Sequence, residues 1–436
     1  MQTQLTTADA YNLVHDGILA FARAEQQGMR IDVDYCERKK TFLTRKIEYK
    51  VKQFYETELG RQWHQVFGPK MTLGSNDQLG HILYETRGIE PVKLTASSKK
   101  GATDEAALKQ LKIPDLDILI GIRKLKKIRD TYLDAFVREQ KNGILHPFFE
   151  LHTVITFRSS SRRPNFQNIP KRDKESMKIC RSAIYPRLGH QLMEVDFSSL
   201  EVSIAACYHK DPVMIAYLMD PDSDMHGDMA EQIFLIKGFD KKKYSEHKLL
   251  RNAAKNGFVF PQFYGDFYGN NAEGLCTWVD LPQSKWKPGM GMKLPGGIHI
   301  SDHMIDNGVK SFDAFVEHLK GIQDHFWNDR FKVYGQWKED WLEEYRNKGY
   351  FDLFTGFRCS GVMGKNEVIN YPVQGAAFHC LLWSFIDLDH RMREEKWDTK
   401  LIGQIHDAVV LDVHPDELDY VSKVVKEVTC VALPKE

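Results

Sequence analysis

Two aspartates carry the first chemical suggestion in this chain. Asp196 closes the run H-Q-L-M-E-V-D that starts at His190, and Asp407 lies within Q-I-H-D-A-V-V-L-D-V from Gln404. Each stands where an apolar, strand-like pattern breaks. Carboxylates on neighbouring strand ends can hold two hard cations about 3.5–4 Å apart, the arrangement that clamps the attacking and leaving oxygens in phosphoryl transfer. Between them runs R-N-A-A-K-N-G-F-V-F-P-Q-F-Y-G, from Arg251 to Gly265. Arg251 and Lys255 are one helical turn apart, so both project from one face and can reach a triphosphate. Phe260 and Tyr264 repeat the spacing with rings, which either fill a core or stack on a sugar and base. Metal ligands, phosphate-binding cations and stacking rings together point to nucleotidyl transfer.

The elements that must position these groups follow from periodicity. A strand at 190–196 runs into a helix starting near Ser198, and a strand's C-terminal end is a usual ligand site in an open sheet. Leu192, Met193 and Val195 are expected to give that strand its apolar contacts. Magnesium takes oxygen ligands at about 2.0–2.1 Å and leaves room for substrate phosphates, which two aspartates permit. Ser198-x-x-Glu201 reads as a capping box. Apolar residues at helical spacing predict helices over 8–60 and over 104–140, the latter ending near Asn142-Gly143. The segment between, with Ser75-Asn76-Asp77 and a turn at Ser97–Gly101, reads as loop-rich. Short apolar runs begin near 144, helices resume through 208–264, and 266–297, rich in Gly and Pro with Trp278 and Trp286, reads as an irregular insertion. Amphipathic helices at 311–348 and 366–393 and a hairpin at 401–413 complete the pattern, without internal repeats.

Composition bounds this reading. The chain has 436 residues, enough for two or three subdomains, and its 60 Lys and Arg balance 60 Asp and Glu. Basic residues cluster locally, as in Arg123-Lys-Leu-Lys-Lys-Ile-Arg129, which fits a solvated helix face as readily as a phosphate backbone. Seven scattered cysteines without C-x-x-C spacing suggest neither a disulfide framework nor a zinc site and fit a reducing compartment. No apolar run approaches the ~18 residues of a membrane span. A cytoplasmic protein without membrane contact is expected.

The three segments around Asp196, Arg251–Gly265 and Asp407 resemble motifs A, B and C of the family A DNA polymerases, in the family's order. T-F-R-S-S-S-R-R-P-N-F-Q-N-I-P from Thr156 and N-Y-P-V-Q-G-A-A from Asn370 are similar to two further blocks of that family. Leu19–Asp32 and Phe67–Leu83 resemble its thumb segments. Only a stretch around 266–300 lacks a counterpart. The resemblance implies an α+β right-hand fold with an antiparallel palm, helical fingers and a helical thumb. Residues 1–150 would form the thumb with the leading palm segment, 151–207 the palm with motif A, 208–365 the fingers, and 366–436 the palm with motif C. It implies a DNA primer-template and dNTPs as partners, two Mg²⁺ ions (with Mn²⁺ as a substitute) on Asp196 and Asp407, and a monomeric enzyme of a bacterial or phage-infected cell.

Roles carry over residue by residue. Lys255 corresponds to the lysine that binds phosphate and can protonate pyrophosphate, Arg251 to the outer-phosphate arginine, and His226 of Asp224-Met-His226 to another phosphate contact. Phe260 and Tyr264 correspond to the rings at the incoming sugar and base and at the templating site. Glu201 corresponds to the sugar gate that leaves no room for a ribose 2′-hydroxyl, a role compatible with capping. Arg158, Asn370, Gln374 and His406 correspond to contacts near the primer terminus or minor groove. Asn165, Gln167 and Asn168 are either duplex contacts or buried turn-forming amides. No segment ahead of the thumb could house an exonuclease, so proofreading is not expected. A single-subunit RNA polymerase and a catalytically silent DNA-binding protein are the alternatives; Glu201 speaks against the first and the intact carboxylate pair against the second.

Departures from the family pattern are as specific as the matches. Phe157 stands where the family has Gly, Ser199 and Ser203 where it commonly has Gln and Arg, and Ala408 where a third carboxylate usually follows Asp407. The largest is one extra residue between Lys255 and Phe260. Five residues on a regular helix place them roughly 140° apart. A shared site therefore predicts a π-type turn within Asn256–Pro261, with Pro261 forfeiting a backbone bond and Gly257 supplying unusual dihedrals.

Overall fold

The computed structural model describes residues 5–92, 94–95, 98–171, 173–405, 407–431 and 433. The backbone divides into two compact units, one built from Leu13–Phe197 and the segment from Cys380 onward, the other chiefly from Ser198–His379.

In the first unit, Asp32 starts the long helix Val33–Glu56 by accepting the Tyr35 N–H at 2.7 Å. That helix buries Cys36, Leu43, Ile47 and Phe54 in one core with Leu116, Leu119 and Ile122 of helix Pro114–Lys126. The helices expected over 8–60 form as Thr7–Gln27 and Val33–Glu56, separated at Gly28, which has φ 65° and whose added Cβ would fall 2.6 Å from Ile144 Cγ2. Only glycine lets the chain turn there so that Met29–Arg30 can pair with Ile144–Leu145. The segment expected to be loop-rich instead holds the helices Glu58–Phe67 and Asn76–Gly80 and a π-helical run His81–Thr86. Ser75 is a helix N-cap, its hydroxyl accepting the Gln78 N–H, rather than a turn residue. Ser97 of the expected turn lies outside the described residues. Helices through 105–139 form as expected and stop before Asn142 and Gly143, both at positive φ.

The unit's principal sheet has three antiparallel strands: Gln191–Asp196 at one edge, Ala408–Val413 in the centre and Lys400–Ile405 at the other edge. Every residue of the central strand is buried, whereas none of Gln191–Asp196 is, and Leu192 is exposed. The apolar contacts expected of Leu192, Met193 and Val195 are therefore carried mainly by the centre of the sheet. An edge strand has one partner, and its burial is correspondingly shallow.

The second unit is almost wholly helical. Helices Leu200–His209, Met225–Phe234 and Ser245–Ala254 lead through a π-turn, Lys255–Val259, into Phe260–Phe263. The stretch from 266 is not irregular at its start: Tyr268–Val279 is a helix that buries Asn271, Ala272, Leu275, Cys276 and Val279. Irregular backbone begins after Asp280 and surrounds one short helix, Ile300–Asp306. Its two ends meet, because Trp286 N–H donates to Lys310 O at 3.2 Å and Phe312 N–H to Ser284 O at 3.0 Å. Helices Phe312–His325 and Lys332–Lys348 follow, and the helix Lys365–Glu394 begins in this unit and accommodates Pro372. Among the described residues no helix is long and apolar enough to cross a membrane.

Candidate active site

The strand register juxtaposes the two aspartates. Asp196 is paired with Ala408, so Asp407 precedes its partner by one residue at the mouth of the hairpin. Directly opposed Cα atoms in such a ladder lie about 4.5–5.5 Å apart. Both side chains are exposed. Asp196 does not cap a helix, since Phe197, Ser198 and Ser199 separate it from helix Leu200–His209. It instead holds Lys171 Nζ at 3.0 Å, a partner that spacing could not reveal. Two open carboxylates, one already compensating a cation, form a donor set that suits a hard divalent ion. Ala408 is fully buried, and His406 lies outside the described residues. Among the described residues no cluster of three or more His, Cys, Asp and Glu offers a different metal site.

The second unit gathers the remaining candidates. The π-turn expected within Asn256–Pro261 occurs at Lys255–Val259, one residue earlier, with the Phe260 N–H donating to Lys255 O. The wider turn absorbs the extra residue. Lys255 Nζ lies 5.1 Å from the Phe260 ring centroid, and Phe260 and Tyr264 are stacked at 6.3 Å. Their neighbours Val259 and Phe263 are buried in the core. Gly257 is not there for unusual dihedrals, because its φ is not positive. Its role is close packing: a Cβ would stand 2.9 Å from Leu275 Cδ2 on helix Tyr268–Val279. Pro261 falls in the first turn after the widening, where its missing N–H disturbs least.

Glu201 does not form the expected capping box. Ser199 takes a left-handed conformation at the N-cap position and makes no side-chain cap bond, so the box geometry is lost. The Glu201 carboxylate accepts the Tyr264 hydroxyl instead. With Phe260, Tyr334, Asn370 and Val373 they line one pocket. Asn370 approaches Tyr264 O at 3.5 Å, and Gln374 is half-buried one turn further along the same helix.

Arg251 is fixed by Asp224, with Nε 2.9 and 2.8 Å from the two carboxylate oxygens, and Lys241 binds the same group. Burial opposes charge on Asp224, but hydrogen bonds from Arg251 and Lys241 outweigh it and hold the carboxyl down at about 2. His226, two residues on, packs edge-on to Phe260 with centroids 5.7 Å apart. Burial, then the charges of Arg251 and Lys255, push its pKa down to about 4. Asp224 was legible only as the first residue of D-M-H, and Lys241, in a surface loop, carried no signal. Beneath the pocket, burial likewise lowers Lys338 to about 7, its ammonium lying 3.4 Å from the Trp327 centroid.

The other duplex candidates lie in the first unit. Phe157 has φ 59°, the left-handed backbone that the family glycine adopts freely. Arg158 and Gln167 are half-buried, while Asn165 and Asn168 are exposed around a short 3₁₀ turn, Phe166–Asn168. The asparagine side chains are thus not buried turn-forming amides. Gln167 Nε2 donates to Ser159 Oγ at 3.2 Å, and Ser159 donates to the buried Gln404 at 2.7 Å.

The sequence pattern of DNA polymerase family A matches residues 43–287 and 312–433. The chain belongs to this family. The thermostable DNA polymerase I of Thermus thermophilus is 27% identical over 424 residues, covering 93% of this chain and 44% of that protein. DNA polymerase I of Aquifex aeolicus is 25% identical over 406 residues, covering 93% of this chain and 61% of the relative. This family A chain thus spans less than half the length of the Thermus relative. In structure it resembles the POL domain of Pol1 from M. smegmatis, in complex with DNA primer-template and dNTP, with TM-score 0.74 and 21% identity over 96% of this chain and 67% of that one. The fold is the α+β polymerase fold. Residues 1–42 precede the match, and the internal stretch left unmatched is 288–311 rather than 266–300, so helix Tyr268–Val279 falls within the matched part.

Proposed function

We propose that this chain is a template-directed DNA polymerase that extends a primer 3′-hydroxyl with dNMPs, acting as a single chain. The observation that supports this most is the π-turn at Lys255–Val259. A helix that departs from its own hydrogen-bonding pattern, and thereby brings a cation and two rings to one face despite an extra residue, is better explained by a ligand than by packing. Family membership and the primer-template and dNTP in the M. smegmatis Pol1 structure support the choice of substrates.

Asp196 and Asp407 would hold two Mg²⁺ ions, or Mn²⁺ in their place, which when bound lower the primer hydroxyl's pKa and offset triphosphate charge. No Ser or Cys nucleophile is needed, because the primer oxygen attacks the α-phosphorus. As that bond forms, the bond to the pyrophosphate oxygen breaks. Arg251 and Lys255 hold the outer phosphates, and Lys255 supplies a proton to the leaving pyrophosphate. His226, kept neutral, offers a hydrogen bond to phosphate. Phe260 stacks on the incoming sugar and base, Tyr264 borders the templating position, and Glu201 fills the space a 2′-hydroxyl needs. Arg158, Asn165, Gln167, Asn168, Asn370, Gln374 and His406 contact the duplex, where minor-groove acceptors common to all pairs allow shape to be tested without reading sequence. Thumb at 1–150, palm at 151–207 and 366–436, and fingers at 208–365 complete the assignment.

Primer extension with dNTPs and with NTPs tests the reading. Strong preference for dNTPs is expected. Equal use of NTPs would indicate an RNA polymerase, and primer-template binding without any extension a silent DNA-binding protein.

A further inference from the structure

Helix Val33–Glu56 carries a second surface that holds none of the residues proposed above to contact nucleotide, metal or duplex. Its buried residues Cys36, Leu43, Ile47 and Phe54 lie on one side. At about 100° per residue, Arg38, Phe42, Arg45, Tyr49 and Lys52 fall within an arc of about 80° on the opposite side, cation and ring in strict alternation. Phe42 is 56% and Tyr49 63% exposed, and all three cations are exposed. A single exposed ring is ordinary. Two rings seven residues apart, about 10 Å along the axis, each flanked by cations, are a patterned surface.

The cations of this face are not locked in ion pairs, although Glu37, Glu48, Asp130 and Asp134 line the same surface hollow as Arg45. Among the described residues none of Arg38, Arg45 and Lys52 takes part in an ion pair, while Lys40 and Lys46 on the flanks are paired with Asp134 and Glu175. The helix holds seven Lys and Arg against four Asp and Glu, in a chain whose charges balance overall. Asp34 and Glu56 bound the arc at its two ends. Lys39 lies 5.6 Å from the Tyr35 ring centroid and 5.7 Å from that of Phe42, so the aromatic surface already attracts cationic cover.

The alternation selects the occupant. A helix-binding protein would meet apolar residues at three- and four-residue spacing, but here each ring is followed by a charge. A lipid surface needs a broad apolar face. A duplex backbone would need the cations and have no use for the rings. Unpaired bases stack on rings while their phosphates seek cations, and this combination is the common basis of single-strand binding. We propose that the stripe binds a single strand of DNA, with bases on Phe42 and Tyr49 and phosphates on Arg38, Arg45 and Lys52.

The test is fluorescence anisotropy of a labelled dT12 oligonucleotide with the whole chain, pre-saturated with an unlabelled hairpin primer-template and without dNTP or metal. Hairpin binding and extension are followed separately, so failure of the polymerase reading would not be mistaken for failure of this one. Phe42→Ala with Tyr49→Ala should weaken dT12 binding by about 10-fold per ring. Phe42→Leu with Tyr49→Leu, which keeps apolar bulk but removes the π-faces, should behave alike. Replacing Arg38, Arg45 and Lys52 by Gln should reduce the slope of log affinity against log salt by about 2. Unchanged dT12 affinity in either ring variant, an equal loss on blunt duplex, or a dimer in light scattering that the ring variants abolish would each overturn the proposal.

Discussion

The carboxylate pair and the cation–aromatic cluster follow opposite plans. Asp196 and Asp407 are open side chains whose placement comes from strand register, with Lys171 the neighbour of Asp196. Arg251, Lys255, His226, Phe260, Tyr264 and Glu201 are linked through Asp224, a π-turn, stacked rings and a shared hydrogen bond. A hard cation keeps several waters and demands oxygen donors, so a metal site can remain open. A triphosphate, a sugar and a base must be oriented by shape, which requires packed surroundings. Loss of one group should therefore be severe in the first region and graded in the second.

The sharpest test of that contrast is Asp196→Ala or Asp407→Ala. Each should slow extension by about 10³-fold or more, because a metal ligand is worth several kcal/mol at the transition state, while primer-template affinity is retained. Near-normal turnover in rapid-quench assays would dissolve the contrast. Gly257→Ala probes the packed region without touching a proposed contact. Its Cβ would meet Leu275 Cδ2 at 2.9 Å and Cγ at 3.1 Å, and overpacking of this kind costs about 1–3 kcal/mol. A lower Tm and a raised KM for dNTP are expected, with partial rescue by Leu275→Ala. An additive double variant would show that the two helices do not meet there.

Smaller effects belong to the pocket's polar link and its base. Tyr264→Phe removes the hydroxyl that Glu201 accepts and should relax discrimination against ribonucleotides by several-fold, with Glu201→Ala relaxing it about 10-fold. Equal selectivity in wild type and both variants would move sugar selection elsewhere. His209 stacks on Tyr334 at 3.9 Å, accepts the Asp211 N–H, and has its pKa pushed by burial from 6.5 down to about 4. The unfolded chain therefore binds a proton between these values that the folded chain refuses. Stability should fall as pH drops from 6.5 toward 4, by at most about 1.4 kcal/mol per pH unit from this group. His209→Gln should flatten that slope in urea midpoints measured at pH 7, 6 and 5; an unchanged slope would assign the proton uptake to other groups.

What the sequence disclosed and concealed has a physical pattern. Long helices, the motif A strand and the closing hairpin were legible because period and turn chemistry agree there. The π-turn was legible because one extra residue conflicted with a shared site. Gly28 was missed because a glycine inside a helical pattern signals its break only through strands over a hundred residues away. The capping box failed at Ser199, whose left-handed backbone no local rule demands. Lys171, Lys241 and Asp224 were hidden because ion pairs between distant segments leave no spacing to read. Helix Tyr268–Val279 was obscured by the glycines and prolines that follow it.

The excursion between Ser284 and Phe312 has a consequence for how such a chain tolerates change. Its ends are joined by two backbone hydrogen bonds, and in between it is tied back to the helical framework by Met292 N–H on Val279 O and by His303 Nε2 at Phe234 O and Leu235 O. Loop-closure entropy grows only logarithmically, by about 0.6 kcal/mol for each doubling of length. The internal span that the family pattern leaves unmatched, 288–311, falls wholly between these two joined ends. Added length is therefore tolerated best at the exposed turn Gly296–Gly297, where nothing packs against the backbone, and exchange of the buried helix Ile300–Asp306 would disturb the framework around it.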